Sequence, residues 1–341
     1  MLPRIVICLL LATAASANAV EDFYSASIPV ADRSEGALVR GAQRGLEQVL
    51  IRVSGDDRIG EVPNVAAAVR GARDRMALYS YEQDDTQIVL RVSFDDVLVK
   101  GILRESDATF WATPRPPVLL WLVIDEPFSR RFATVSQDDE LLDSMSQAFA
   151  DRGVTLRLPL LDLEDAAALS PEMVWQTVTS RIRRASERYG TEHILVGRYV
   201  QLTSGTHLAD WLYLDADGQR REQVQGRDPA PVLLGGVDLA VDAMADRYAV
   251  ALQSRPAAGA IAVSISGVES YSDYRNVMGM LRDIPILDSV TVTEVAQDVL
   301  VVKVTGISSA EALARTLPTR SRLAMTADPT PNRLTLHWGQ P

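Results

Sequence analysis

Residues 118–125 read "VLLWLVID", an unbroken apolar run between Pro116-Pro117 and the polar stop Asp125-Glu126-Pro127. A run of this length without alternation predicts a strand buried on both faces, as in sheets covered by helices on either side. The chain beyond it supports that reading. Ser136 opens a helix carrying Leu141, Leu142, Met145 and Phe149, which stops at Gly153, and "TLRLPLLD" (155–162) predicts the next strand. Ser170-Pro171 places an N-cap before a proline at the first helical position, opening a helix to Tyr189-Gly190. "HILVGRYVQL" (193–202) and "HLADWLYLDADGQ" (207–219) predict strands, with Asp217-Gly218 as a hairpin turn, and a helix over about Val232 to Leu252 closes the block. Apolar strands alternating with helices imply a mixed or parallel sheet covered by helices.

Smaller blocks flank this one. On the amino side, "FYSASIPV" (23–30) is a short strand, and Asp32 with Glu35 has the spacing of a capping box. Leu38, Ala42, Leu46, Val49, Leu50 and Val53 then mark one helical face that Gly55 ends. A helix over Asn64–Tyr79, a strand over Ile88–Asp95 and a short helix from Asp96 complete a small α+β unit. On the carboxyl side, the strands 260–266, 289–296, 299–306 and 333–338 alternate with two helices in the order β-α-β-β-α-β, the ferredoxin-like pattern. The second of those helices has Ser308 and Glu311 at capping-box spacing, and a further short strand is expected around Arg322–Thr326. Proline-containing stretches at 112–117 and 253–260 divide the blocks. The expected organisation is therefore an α+β / α/β chain of three small domains: residues 20–112, 117–253 and 260–341.

The first residues, "MLPRIVICLLLATAASANAVED", place Arg4 before an apolar run and Ala17-Asn18-Ala19 after it. This is the pattern of a secretory signal peptide over residues 1–19 with cleavage before Val20. The run is shorter than the ~20 residues a spanning helix needs, and no later segment is longer, so no transmembrane segment is expected after cleavage. Cys8 is the only cysteine; the exported chain would hold neither a disulfide nor a thiolate site. The chain carries 34 Lys and Arg against 45 Asp and Glu, a net charge of −11, which argues against nucleic acid as a partner.

No motif brings catalytic groups together. Asp125 and Glu126 are adjacent on a strand and so point to opposite faces; they read as the rim of a strand. His193, His207 and His337 have no metal-binding spacing, although His193 and His207 could approach if their strands pair. "DADG" (215–218) starts like a calcium loop but lacks its later ligands, "LTSGTH" (202–207) is no nucleophile elbow, and no phosphate-cradling glycine loop occurs. Neither a metal nor a cofactor is expected. Arg181, Arg184 and Arg188 share one face of the helix expected from Pro171 and could meet an anionic partner, or simply be solvated. Trp211, with Trp121 and Trp175, could stack on a sugar, although each lies in a regular element where core packing explains it.

Three stretches, "IPVADRSEGALVRGAQRGLEQVLIRVSGD" (28–56), "VLRVSFD" (89–95) and "FWATPRPPVLLWLVID" (110–125), resemble domain-of-unknown-function family 2066, which comprises exported proteins of Gram-negative bacteria. The order of strands and helices from "VLLWLVID" to "WLYLDADGQ" is similar to the amino-terminal domain of TolB and of related envelope lipoproteins that activate or assemble partners, though this chain lacks a lipobox. Three small sheet-bearing domains, no convergent catalytic set and no cofactor signature favour a periplasmic, non-enzymatic interaction or assembly protein with another envelope protein as partner. The other reading is an envelope glycan-binding protein or hydrolase whose site is built from scattered Asp, Glu, Arg and Trp residues.

Overall fold

The computed structural model describes residues 23–83, 87–111, 115–252, 260–317 and 322–339. The expected signal peptide, Cys8, residues 112–114 of the first dividing stretch and residues 253–259 of the second lie outside the described residues.

"VLLWLVID" is β5 of the sixteen described strands, and it decides the architecture as its composition requires. The elements before it are β1 (Ser25–Val30), α1 (Glu35–Ser54), α2 (Pro63–Arg70), β2 (Met76–Gln83), β3 (Ile88–Phe94), α3 (Asp96–Glu105) and β4 (Thr109–Phe110). β5 (Val118–Asp125) is followed by β6 (Arg130–Phe132), α4 (Val135–Asp151), β7 (Leu156–Arg157), α5 (Leu163–Ala168), α6 (Pro171–Trp175), α7 (Thr179–Ser186), β8 (His193–Gln201), β9 (His207–Leu214), β10 (Gln219–Gly226) and α8 (Pro229–Tyr248). The sheet order is β10-β9-β8-β5-β6, with β7 beside the start of β5. β5 runs parallel to β8 and β7, and the other pairs are antiparallel. Alternate residues of β5 feed two cores. Val118, Leu120 and Leu122 pack with Met145 and Phe149 of α4 and Val237 and Val241 of α8. Leu119, Trp121 and Val123 pack with Val174 of α6 and Ile182 and Ala185 of α7. The unbroken apolar run is thus a strand with a helical layer on each face.

Close packing at the sheet centre is set by Gly197. A Cβ there would lie 2.4 Å from Cζ3 of Trp211 and 2.6 Å from Cδ1 of Leu122, so the indole fits because β8 has no side chain at that point.

In the first unit, α1 covers the antiparallel sheet β1-β3-β2, and its six periodic apolar residues are all buried. Gly55 ends α1 with φ 77°, the left-handed cap that glycine adopts without strain. The last unit comprises β11 (Val250–Ala251), β12 (Ile261–Ser266), α9 (Tyr271–Arg282), β13 (Ser289–Ala296), β14 (Val299–Thr305), α10 (Ala310–Thr316), β15 (Leu323–Met325) and β16 (Arg333–Trp338). Its sheet order is β13-β14-β12-β16-β15. The first four positions follow the ferredoxin-like order, and the short strand expected around 322–326 is β15. That strand reverses the chain once more, so β16 returns parallel to β12.

β4 pairs with β11 and Leu252 bridges to Ile307. Through Phe110, Val250, Leu252 and Ile307 the cores of the first and last units join in one apolar cluster. The middle unit therefore leaves and rejoins the rest of the chain at one two-stranded ribbon.

Several local expectations change. The helix expected over Asn64–Tyr79 stops at Arg70, and Met76–Tyr79 begin β2 instead; the β-strand partner β3 outweighs an apolar spacing that suits either element. Ser34, not Asp32, caps α1 by accepting from Ala37 N, while Asp32 Oδ1 accepts from Ser34 N. Thr134, not Ser136, precedes α4. Only two residues of "TLRLPLLD" form a strand, because Asp162 caps α5. The helix expected over Pro171–Tyr189 is broken at Thr177, which has φ 55°. Ser309, not Ser308, caps α10; the box with both hydrogen bonds is Ser270 with Asp273.

Candidate functional site

At the carboxyl end of β5 the acid pair splits. Asp125 Oδ1 accepts from Arg130 Nε at 2.9 Å, and Arg130 Nη1 donates to Glu172 at 2.8 Å. The Arg130 guanidinium lies 4.2 Å above the Trp175 ring. Glu126 instead accepts from Arg131 Nε at 2.7 Å, and both terminal nitrogens of Arg131 grip Asp138 at 2.6 and 2.9 Å. The hydrogen bonds from Arg131 hold the Asp138 carboxyl below its usual range. Each carboxylate is matched by its own arginine, and Asp125 and Glu126 share no proton and no ligand position. Alternation along the strand requires this divergence.

The three arginines all follow the break at Thr177, and α7 gives way to a 3-10 turn between Arg184 and Arg188. Arg181 and Arg184 lie exposed on α7, their guanidinium groups without a hydrogen bond or ion pair among the described residues. Arg188 sits in the 3-10 turn Glu187–Tyr189, where its guanidinium binds Asp162 at 2.8 and 3.0 Å and Asp165 at 3.0 Å. Of the three, Arg188 is therefore held by carboxylates of the same chain, which leaves Arg181 and Arg184 as the exposed pair. Trp211 is fully buried, and its Nε1 donates to Val232 O at 2.9 Å; stacking on a sugar is closed to it. Trp121 is buried likewise, its Nε1 on Ser186 Oγ at 2.9 Å.

His193 and His207 do sit on paired strands, but antiparallel pairing puts them at opposite ends: His207 faces Gln201, while the start of β8 faces Leu214. His207 Nδ1 meets Tyr199 OH at 2.5 Å. His193 is buried at the amino end of the sheet, its Nδ1 2.5 Å from Tyr213 OH and its Nε2 2.9 Å from Tyr248 OH. A neutral imidazole has one donor and one acceptor nitrogen, so one tyrosine donates to the ring and the other accepts from it. Burial, then the nearby Arg247, push His193 below its ordinary value of 6.5, while burial raises Tyr213 and Tyr248. At neutral pH this chain of three groups is uncharged. Tyr248 opens onto a cleft of about 840 Å³ between the middle and last units, where Asp215, Asp217 and Asp246 face Arg220, Arg247 and Arg315. Arg220 pairs with Asp246 at 2.7 Å, and Arg247 with Asp217 at 3.3 Å. The cleft is polar and close to charge balance. Tyr248 and Asp246 come from the end of α8 and Arg315 from α10, positions whose convergence no sequence spacing reveals. Among the described residues no three His, Cys, Asp or Glu side chains are placed to hold a metal ion, and no helix is long and apolar enough to cross a membrane.

An apolar surface groove lies on the last unit. β13 is an edge of its sheet. Beside it, a groove of about 380 Å³ runs between the β13–β14 hairpin and the start of α9, lined by Val268, Glu269, Tyr271, Tyr274, Val295 and Leu300 among others. Tyr271 stacks on Tyr274 at 6.1 Å between centroids. Tyr271 is 75% exposed and Val295 65%. The sequence signal was present but unspecific: "SVTVTEVA" alternates β-formers without the Lys or Pro that often protect an edge.

Residues 17–112 match the family model described as Domain of unknown function (DUF8605). That is a different family from 2066, and it covers only the first unit, so the resemblance to family 2066 is corrected. No match supports the likeness to the TolB domain. No curated protein matches the chain.

Proposed function

We propose that this chain is a non-enzymatic interaction or assembly protein of the cell envelope, working in the periplasm after cleavage of residues 1–19 and binding another envelope protein through its last unit. The observation that carries the reading is the open edge of β13 beside a groove flanked by exposed Tyr271 and Val295. Unpaired strand backbone next to apolar, aromatic surface suits recognition of a protein segment. Export is supported by Ala17-Asn18-Ala19 following an apolar run.

The second reading, a glycan-binding protein or hydrolase of the envelope, draws on the cleft where Tyr248 meets three aspartates. Against it, Asp246 and Asp217 face arginines at ion-pair distance, and His193 stands behind Tyr248 instead of lining the cleft.

The test is photo-crosslinking in intact cells, with crosslinkers placed in turn on exposed positions of each unit, and mass spectrometry of the purified chain. The expected results are a recurring crosslink to one other envelope protein and a chain beginning at Val20. A chain retaining Met1, or one that crosslinks to nothing at any position, overturns the proposal.

A further inference from the structure

We infer that the groove beside β13 takes an extended segment of another protein, one that adds to β13 as a further strand and carries apolar side chains flanked by Lys or Arg. This rests on the interaction reading above and names the kind of partner it requires.

The strand register sets what the groove can read. Val290 stands opposite Val304, Val292 opposite Val302, and Val295 opposite Leu300. Val302, Val304 and Leu300 are buried, so these β13 valines belong to the face that α9 covers. Beyond a bulge between Val292 and Glu294, that row reaches the surface at Val295, against Tyr271 and Tyr274. A strand added at β13 would continue the row by one position, because side chains on neighbouring strands align on a common face. Its alternate side chains would then fall over the groove. The peptide backbone would meet the unpaired edge of β13, and an apolar side chain would meet Val268, Val295 and the Tyr271–Tyr274 stack.

Charge selects the flanks. Glu269 lines the groove, and Asp298 stands at the hairpin turn, where its carbonyl accepts from Val268 N at 2.9 Å. Both residues are exposed, and neither has an ion-pair partner among the described residues. Lys303, the basic residue of β14, stands between buried Val302 and Val304 and so points to the opposite face. The groove thus presents apolar walls with an acidic rim, on a chain of net charge −11. A segment with basic flanks is attracted to it, whereas acidic flanks would be placed against carboxylates. The stacked tyrosines also offer a ring face to an Arg or Lys head group.

The test uses the full chain and two synthetic peptides, RTVTLTVTR and its charge-swapped form ETVTLTVTE, with binding followed by fluorescence anisotropy. The basic peptide is expected to bind at least tenfold more tightly, and added salt should narrow the gap. Tyr271→Ala and Val295→Arg should each weaken it about tenfold, and Glu269→Lys should reduce the preference for basic flanks. All three positions lie on the surface, and circular dichroism of each variant confirms that it is folded. Equal binding of the two peptides, or binding of the basic peptide indifferent to all three substitutions, overturns the inference. So does a concentration-dependent dimer abolished by Val295→Arg, which would make a second copy the occupant. A crosslinker at Val295 in intact cells separates the two levels of the argument. If crosslinks to an envelope protein form elsewhere on the surface but never at Val295, the interaction reading stands and the groove is the wrong site.

Discussion

The two ends of the middle sheet hold their polar groups in opposite ways. At the carboxyl end, Asp125, Glu126, Arg130 and Arg131 stand at the surface, 28–40% exposed, each charge facing an opposite one. At the amino end, His193 is 2% exposed and Arg152 6%. There His193 lies between two tyrosine hydroxyls, and Arg152 donates to Asp238 at 3.0 Å, Asp242 at 2.7 Å and the Gly55 carbonyl at 3.0 Å. Gly55 belongs to the first unit, and Gln48 of α1 donates to Asp151 at 2.6 Å. The amino end is therefore also the joint between units. Water can replace a lost partner at the exposed end, but a group left alone at the buried end keeps its full desolvation cost.

That contrast is breakable. The largest effect is expected for Arg152→Ala, which removes the link between α8 and Gly55 and leaves two carboxylates facing each other. A loss of about 2–4 kcal/mol is expected, toward the low side of buried ion pairs because Asp238 and Asp242 are about half exposed. Urea unfolding measures it; a loss under ~1 kcal/mol would place Arg152 with the surface pairs.

Next is His193. His193→Phe should cost about 1–3 kcal/mol at pH 7 by leaving the buried Tyr213 hydroxyl without its His193 partner. The wild-type histidine also carries a pH signature. Its folded value lies below 6.5, so below 6.5 the unfolded chain binds the proton more readily. The stability it contributes is complete above 6.5 and is lost as pH falls through the folded value. Between pH 7 and 5, stability should therefore fall more steeply in the wild type than in His193→Gln. Parallel slopes would mean that His193 is not held neutral.

A smaller effect is expected from Asp125→Asn combined with Glu126→Gln: below about 1 kcal/mol for each pair, with complementation of a deletion strain retained. A stable, exported but inactive variant would move the hydrolase reading ahead. The smallest effect belongs to Arg181→Glu with Arg184→Glu, within about 0.5 kcal/mol in thermal unfolding, since neither arginine has a partner to lose. A larger drop would reveal a contact that the exposed position does not suggest.

Legibility followed burial and locality. "VLLWLVID" announced its role because a strand covered on both faces must be apolar at every position. The α1 face, Gly55 and the Ser170-Pro171 start were legible for similar reasons, since each depends on neighbours within a turn or two. Helix length was less legible: α2 and the pieces after Pro171 stop where a strand partner or a tertiary contact prevails over spacing. The candidate sites were least legible. Tyr213, Tyr248 and His193 meet across 20 and 55 residues of sequence, and the β13 groove joins α9 to a hairpin that follows it.

The sequence by itself determined a covered sheet in the middle of the chain, an acidic surface, and the divergence of Asp125 from Glu126, because composition and backbone periodicity are local properties. Only the tertiary structure decided that Arg188 is held by Asp162 and Asp165, that Trp211 is sealed beneath Gly197, and that the first and last units share one apolar cluster. Those outcomes depend on which surfaces the folded chain brings within a few ångströms, and side-chain contacts between distant segments leave no period in the sequence.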